Sequence, residues 1–137
     1  MSSNLSGLQE QYFSSGDSMT DVIIISLKRT NSLNKAITLW RPGDSGYCWT
    51  LRCAGRYDEA SVLKNLGYYN SGNSSIAVPV GLAEQLAIEV EYETNEFGRC
   101  LANDAATWKQ LLAMVVCKPE YPSLPRYHET YGASAGV

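Results

Sequence analysis

Apolar residues recur at the spacing of β-strands in some segments of this chain and at the spacing of α-helices in others. These two spacings predict its secondary structure. Residues 21–27 form a short β-branched apolar run, which is typical of a strand covered on both faces. The alternative is a segment that adds to the edge of a partner's sheet. After a polar connection at 28–35, the runs at 37–40 and 47–53 predict the two strands of a hairpin.

The predicted hairpin has a turn with a clear physical basis. Alternation along the first strand places Leu39 and Trp40 on opposite faces. Between the strands, Pro42 fixes the entry of the loop, and Gly43 and Gly46 can adopt positive φ. On the second strand, one face is predicted to carry Tyr47, Trp49, Leu51 and Cys53.

Downstream of the hairpin, the apolar spacing becomes helical. Asp58 can cap a first helix, which we expect to fray near Gly67 because glycine is unfavourable in a helix interior. A second, short helix follows Pro79, a residue that the first helical turn tolerates, and covers 80–87. Both helices are therefore expected to be brief.

A third helix and two short strands complete the pattern. Asn103 or Asp104 can cap the helix over 105–116. Its apolar stripe consists of Trp108, Leu111, Leu112 and Val115. The run at 76–78 predicts a buried strand, and the strict alternation at 88–92 predicts a half-exposed one.

This order of elements predicts the α+β class, with a small, mainly antiparallel sheet and about three helices packed on one side of it. We expect a single domain at 21–118, preceded by a flexible tail at 1–20. The segment 119–137 is expected to be an extended tail, because prolines at 119, 122 and 125 exclude a helix. Its tyrosines could dock on the domain or on a second subunit: Tyr121, Tyr127 and Tyr131.

Composition and charge argue against nucleic acids and membranes as binding partners of this protein. The 137 residues carry a net charge of −3, which gives no basic footprint for direct nucleic-acid binding. The longest apolar run, 22–25, is too short to cross a bilayer. Residues 1–20 lack an apolar stretch after a basic start, so we expect no secretory signal. These features favour an intracellular protein that does not contact a membrane.

Metal, cofactor and catalytic signatures are weak. The four cysteines contain no Cys-x-x-Cys pair, and the chain has one histidine, His128, so neither a metal site nor a cofactor is expected. Residues 43–46, Gly-Asp-Ser-Gly, are similar to the nucleophile loop of trypsin-like serine proteases. The chain is too short for that fold, and His128 follows the serine instead of preceding it. We therefore expect a protein that is not an enzyme.

Arginines and aromatic residues are concentrated around the hairpin and the first helix. Such residues can bind phosphate, stack with bases or form a protein hot spot. The alternative is that the aromatic side chains form cross-strand core packing. The set comprises Trp40, Arg41, Tyr47, Trp49, Arg52, Arg56, Tyr57, Tyr68, Tyr69 and Asn70, and all of its members except Tyr68 are candidate ligand-binding residues.

Several short motifs carry a resemblance over about residues 37–116. They are Trp-Arg-Pro at 40–42, Gly-Tyr at 46–47, Ala-Gly-Arg-Tyr at 54–57, Tyr-Tyr-Asn at 68–70 and Ile-Ala-Val-Pro at 76–79. With them the chain resembles small accessory proteins of tailed bacteriophages and prophages. The resemblance implies a phage gene that acts in the host bacterial cytoplasm, where many such genes counter host defence.

Together these features predict a non-enzymatic anti-defence protein that sequesters a nucleotide-type immune signal through an Arg/aromatic site. Two alternatives remain open. One is a protein-binding inhibitor of a host defence complex such as a CRISPR or restriction complex, and the other is a minor phage structural or assembly protein. Under all three, a homo-oligomer is expected, because the strand at 22–27 and the C-terminal tyrosines are suited to joining subunits.

Overall fold

A computed structural model describes residues 21–89 and 98–127 and confirms the α+β class. In the described residues, five strands form one antiparallel sheet: β1 Asp21–Ser26, β2 Leu39–Trp40, β3 Tyr47–Cys48, β4 Tyr57–Asp58 and β5 Ser75–Pro79. The helices of that part are α1 Glu59–Leu63, α2 Leu66–Tyr69, α3 Val80–Leu86 and α4 Ala105–Ala113, and a 3-10 turn covers Pro42–Asp44. The predicted tail at 1–20, His128 and Tyr131 lie outside the described residues.

The β1 strand is the centre of the sheet. Along one edge it pairs with β5, from Val22↔Pro79 to Ser26↔Ser75. On the other edge it pairs with β2 and then with β4. Because both edges are occupied within the chain, the alternative that this segment joins a partner's sheet is wrong.

Alternate residues of β1 enter two separate cores. Ile23 and Ile25 face the first core, which includes residues of α3 and α4 such as Ala83 and Trp108. Val22 and Ile24 face the second core. Its remaining members come from β2, β4, β5, α1, α2 and the segment after α4: Trp40, Tyr57, Val62, Leu66, Tyr69, Ala77 and Val116. The prediction that all helices lie on one side is therefore wrong, because an apolar run without polar alternation needs cover on both faces.

The predicted hairpin is present but short. Leu39 pairs with Cys48 and Trp40 with Tyr47, and the predicted positive φ occurs at Gly43 (65°) and Gly46 (126°). Beyond Cys48, Thr50 bridges to Cys100, and the Ala54 N–H then donates to the Thr50 carbonyl at 3.1 Å. The chain turns there, so the predicted alternation as far as Cys53 is wrong.

The predicted helix caps are correct, whereas some helix ends differ. The Asp58 carboxylate accepts from the Ser61 N–H at 3.2 Å, and the Asp104 carboxylate accepts from the Thr107 N–H at 2.9 Å. The first helix breaks at residues 64–65, before Gly67, which lies inside α2. The third predicted helix ends three residues early, at Ala113.

The predicted strand at 88–92 is described over its first two residues. Ile88 is 49% exposed and forms an isolated antiparallel bridge with Cys100. The Ile88 N–H donates to the Cys100 carbonyl at 2.8 Å, and the Cys100 N–H donates back at 2.7 Å. Residues 90–97 lie outside the described part.

Residues 119–127, here called the C-terminal strap, run along the 71–72 loop. The Tyr121 N–H donates to the Ser71 carbonyl at 3.0 Å, and the Ser123 hydroxyl donates to the Gly72 carbonyl at 2.9 Å. Gly72 has a φ of +100°, and a Cβ there would lie 1.9 Å from the Tyr121 carbonyl oxygen. The close approach of strap and loop therefore requires glycine at this position.

Asn70 closes the outer edge of β5. Its Oδ1 accepts from the Ala77 N–H at 2.9 Å, and its Nδ2 donates to the Cys117 carbonyl at 2.9 Å. Beside it, the Val116 N–H donates to the Ala77 carbonyl at 3.0 Å. With 2% of its surface exposed, Asn70 links the sheet to the segment after α4 much as another strand would.

We predict that Asn70→Ala strongly destabilises the fold. The change leaves the buried Ala77 N–H and the Cys117 carbonyl without a partner, and each unsatisfied buried group costs about 1–3 kcal/mol. The free energy of unfolding should therefore fall by about 3 kcal/mol, as measured by urea denaturation followed by circular dichroism.

Asn65→Ala is the matched control. Asn65 is exposed, and its side chain makes no capping hydrogen bond to α2. The control should change the free energy of unfolding by less than about 0.5 kcal/mol. Equal effects of the two substitutions would contradict the role of Asn70 as an edge link.

Candidate ligand-binding pocket

Four rings from three elements, β2, β4 and α2, meet on the second face of the sheet and form the aromatic cluster: Trp40, Tyr57, Tyr68 and Tyr69. Trp40 lies 5.3 Å from Tyr68 and 5.8 Å from Tyr69 between ring centroids. Tyr57 lies 5.5 Å from Tyr69, and Tyr68 lies 4.9 Å from Tyr69. All four pairs are edge-on or tilted, as favourable aromatic contacts are.

The cluster has a core side and an open side. Trp40, Tyr57 and Tyr69 are partly buried and pack on the second core. Tyr68 is 49% exposed. The interpretation of the aromatic residues as core packing therefore holds for three members of the cluster, while Tyr68 faces outward.

Tyr57 also holds the turn of the hairpin in place. Its hydroxyl donates to the Arg41 carbonyl and accepts from the Asp44 N–H at 3.0 Å. Asp44 has a φ of 58°, which is uncommon for a residue other than glycine. These contacts give the Gly-Asp-Ser-Gly loop a structural role.

The tyrosine hydroxyls of the cluster have raised pKa values. Burial, assisted by the charge of Asp44, raises the pKa of Tyr57 from 10.0 to about 12. Desolvation and the same carboxylate also raise the pKa of Tyr68 and of Tyr69. The phenols therefore keep their protons to a higher pH than free tyrosine does.

Beside the cluster lies an open pocket of about 380 Å³, here called the Trp40 pocket. Its lining combines aromatic rings with hydroxyl groups of the 71–75 loop. Ser26 and Ser75, which pair across β1 and β5, are buried beneath the opening. The lining residues are Ser26, Lys28, Trp40, Tyr47, Gly67, Tyr68, Ser71, Asn73, Ser74, Ser75 and Tyr121.

Three lining tyrosines, here called the rim tyrosines, are substantially exposed. Tyr47 is 44% exposed, Tyr68 49% and Tyr121 48%. They come from β3, α2 and the C-terminal strap. The pocket is thus built by elements that are distant in sequence.

The structure places the predicted arginines away from this pocket. The Arg41 Nε donates to the Tyr47 carbonyl at 2.9 Å, and Arg56 forms an ion pair with Glu84 at 2.9 Å. The side chain of Arg52 packs beside Gly98. None of the three is among the described residues that line the Trp40 pocket.

The other predicted site residues divide between pocket and interior. Trp40 and Tyr47 line the Trp40 pocket, and Tyr57 and Tyr69 support it through the aromatic cluster. Trp49 is half-buried and is not among the described lining residues. Asn70 is buried, and its amide binds backbone groups.

The sequence pattern did not indicate the two cationic residues beside the pocket as site residues. Lys28 lines the pocket, and the Arg29 guanidinium lies 5.1 Å from the centroid of the Tyr47 ring. Both residues lie just after β1, separated from it by Leu27, in a stretch whose polar composition predicts a plain connection. The signal that could have found them is the pair of cations at the end of a buried strand.

Comparisons with protein-family models, with curated proteins and with solved structures each find no match. Within residues 21–89 and 98–127, no helix has the length and apolar character needed to cross a membrane. In the same residues, no group of three or more His, Cys, Asp or Glu side chains is arranged to hold a metal ion.

We predict that Tyr57 makes stability fall at alkaline pH. Because the pKa of Tyr57 rises from 10.0 to about 12 on folding, the folded state holds this proton more tightly than the unfolded chain. The contribution is fully present below about pH 10 and is lost as the pH rises through about 12. Tyr57→Phe should make the decline in the free energy of unfolding shallower between these pH values, as measured by urea denaturation.

The same variant should also weaken the hairpin turn at pH 8. Loss of the bonds to Arg41 and Asp44 is expected to lower the free energy of unfolding by about 1 kcal/mol. As a control, Tyr121→Phe leaves the turn untouched and should stay within about 0.5 kcal/mol of the parent at pH 8. An unchanged alkaline slope in Tyr57→Phe would contradict the assignment.

Proposed function

We propose that this protein is a non-enzymatic binding protein that takes a small nucleotide-type ligand into the Trp40 pocket. The single observation that carries the proposal is the composition of the lining, which combines aromatic rings, hydroxyls, one amide and one ammonium around a single opening. Small-molecule sites typically combine apolar surface with a few polar groups in this way.

The partly exposed rings supply the base-binding part of the proposal. Tyr68 and Tyr47 are both about half exposed at the rim, and Trp40 lies between α2 and β3. Stacking of a base on an aromatic side chain contributes about 1–3 kcal/mol to binding, whichever base it is. Contacts with the other rings of the aromatic cluster restrain Trp40 and Tyr68. Little side-chain entropy is therefore lost when a ligand binds.

The biological role that we attach to this binding comes from the resemblance to phage accessory proteins. In the cytoplasm of an infected bacterium, a protein that holds a nucleotide without converting it would lower the concentration of a nucleotide immune signal. The role therefore requires tight binding and no turnover, which fits a pocket whose lining is dominated by rings and hydroxyls.

Gly67→Phe tests the proposal by filling the pocket. Gly67 lines the pocket, and a Cβ added there meets nothing within 4 Å. Phenylalanine is also a better helix residue than glycine, so α2 should not weaken. We predict that nucleotides and cyclic nucleotides raise the melting temperature of the parent protein, and that Gly67→Phe abolishes this ligand-induced shift.

Gly81→Phe is the matched control. Gly81 lies in α3, which packs on the first core, and its added Cβ likewise meets nothing within 4 Å. This variant should keep the full ligand-induced shift. Failure of every nucleotide tested to stabilise the parent protein would overturn the proposal.

A second function, inhibition of a host defence protein by direct binding, is favoured by the rim tyrosines. Three neighbouring tyrosines, each nearly half exposed, are typical of an interface hot spot. We also place the expected homo-oligomer contact on this rim, because β1 is enclosed by its own sheet.

For this second function, we predict that a purified defence complex binds the parent protein and loses at least about tenfold in affinity with Tyr47→Ala, as measured by biolayer interferometry. Leu124→Ala is the control, since Leu124 is 78% exposed and is not among the described lining residues. Equal affinity of parent and Tyr47→Ala would remove the rim as the contact surface.

A further inference from the structure

We infer that the Trp40 pocket contains a distinct phosphate subsite formed by Lys28, Asn73 and Ser74. The ligand unit that it takes is then a nucleoside monophosphate, and a cyclic dinucleotide does not fit as a whole. This inference rests on the function proposed above and specifies the ligand class of the same pocket.

Backbone hydrogen bonds hold two residues of the subsite, Lys28 and Ser74, together. The Leu27 N–H and the Lys28 N–H both donate to the Ser74 carbonyl, at 2.9 and 3.2 Å. The end of β1 is therefore fixed against the 71–75 loop. Lys28 and Ser74 both line the pocket. An anion bound between them would contact two residues whose backbones are already fixed relative to each other.

The orientation of Asn73 follows from its own hydrogen bond. The Ser71 hydroxyl donates to the Asn73 Oδ1 at 3.0 Å, and the Ser74 N–H donates to the Ser71 hydroxyl at 3.2 Å. With its carbonyl oxygen engaged, Asn73 keeps its NH₂ group as a donor. The polar side of the pocket thus offers an amide donor, a hydroxyl and an ammonium, which are groups that bind phosphate.

The local charge also favours an anion. Lys28 forms no ion pair among the residues that the structure describes. Arg29, the next residue, lies over the Tyr47 ring and adds a second positive charge beside the same opening. The described lining residues include no carboxylate. The Asp44 carboxylate, which raises the pKa of Tyr68, acts on the aromatic residues and is not among the described lining residues. A single phosphate is attracted to such a site, whereas a cationic ligand is repelled.

The size of the pocket matches a ligand of one nucleotide unit. Its volume of about 380 Å³ lies near the lower end of the range of about 300–1,000 Å³ for small-molecule sites. The lining combines aromatic rings, among them Trp40, Tyr47 and Tyr68, with the polar groups of Lys28 and the 71–75 loop. That arrangement matches one base and one phosphate, and it leaves the second base and phosphate of a cyclic dinucleotide without a site.

Isothermal titration calorimetry with matched ligands tests this subsite. The probes are the four common nucleosides, their 5′-monophosphates and cyclic di-AMP. We expect the best monophosphate to bind at least about tenfold more tightly than its nucleoside, because charge-assisted hydrogen bonds are made to the phosphate. Cyclic di-AMP should bind no more tightly than AMP. Added salt should weaken monophosphate binding and leave nucleoside binding almost unchanged.

Lys28→Met separates phosphate recognition from base stacking. It should remove most of the gain in affinity of the monophosphate over the nucleoside, because Asn73 and Ser74 retain only neutral donors to the phosphate. It should leave nucleoside affinity unchanged. Lys109→Met is the matched control, since Lys109 is exposed on α4, which packs on the first core. The control removes the same charge and should leave all affinities unchanged.

The outcomes separate this inference from the proposed function. If no nucleoside or nucleotide binds, the proposed function fails and the subsite fails with it. If nucleoside and monophosphate bind equally in both the parent and Lys28→Met, the subsite is overturned while nucleotide-type binding stands. Binding of cyclic di-AMP at least about tenfold more tightly than AMP would overturn the limit to one nucleotide unit.

Discussion

The complete enclosure of β1 is the constraint on which the rest of the structure depends. An apolar β-branched strand must be covered on two faces and two edges, and here its own chain covers all four sides. The Trp40 pocket opens where this apolar character ends. At Ser26 and Ser75 the paired strands change to small hydroxyl residues, and the short helices of the second face leave that end uncovered.

The sequence predicted features that depend on local geometry and missed those that depend on distant contacts. Asp58, Asp104 and Gly43 behave as predicted, because caps and turns are decided within a few residues. Arg56 was assigned to the site, but it meets Glu84, 28 positions away in sequence. The prediction of Asn70 as a ligand-binding residue fails for a similar reason. An asparagine in a polar stretch looks the same in the sequence whether it is exposed in a loop or buried at the edge of a sheet.

The aromatic residues show why a pocket and a core are hard to separate in a sequence. The same cluster packs on Val22 and Ile24 on one side and faces the opening on the other. Burial of Trp40, Tyr57 and Tyr69 fixes the position of Tyr68, which remains half exposed. Under the proposed function, neighbouring rings of a single cluster serve stability and recognition, and the residue type alone does not separate the two roles.

The contact between Gly72 and the C-terminal strap makes the strap part of the wall of the Trp40 pocket. Tyr121 reaches the pocket because its backbone rests where a side chain of residue 72 would otherwise be. The last described segment is therefore a structural wall, and a chain shortened at residue 118 would have a wider and less aromatic opening. Part of the pocket wall thus comes from residues beyond α4, and they reach it because residue 72 has no side chain.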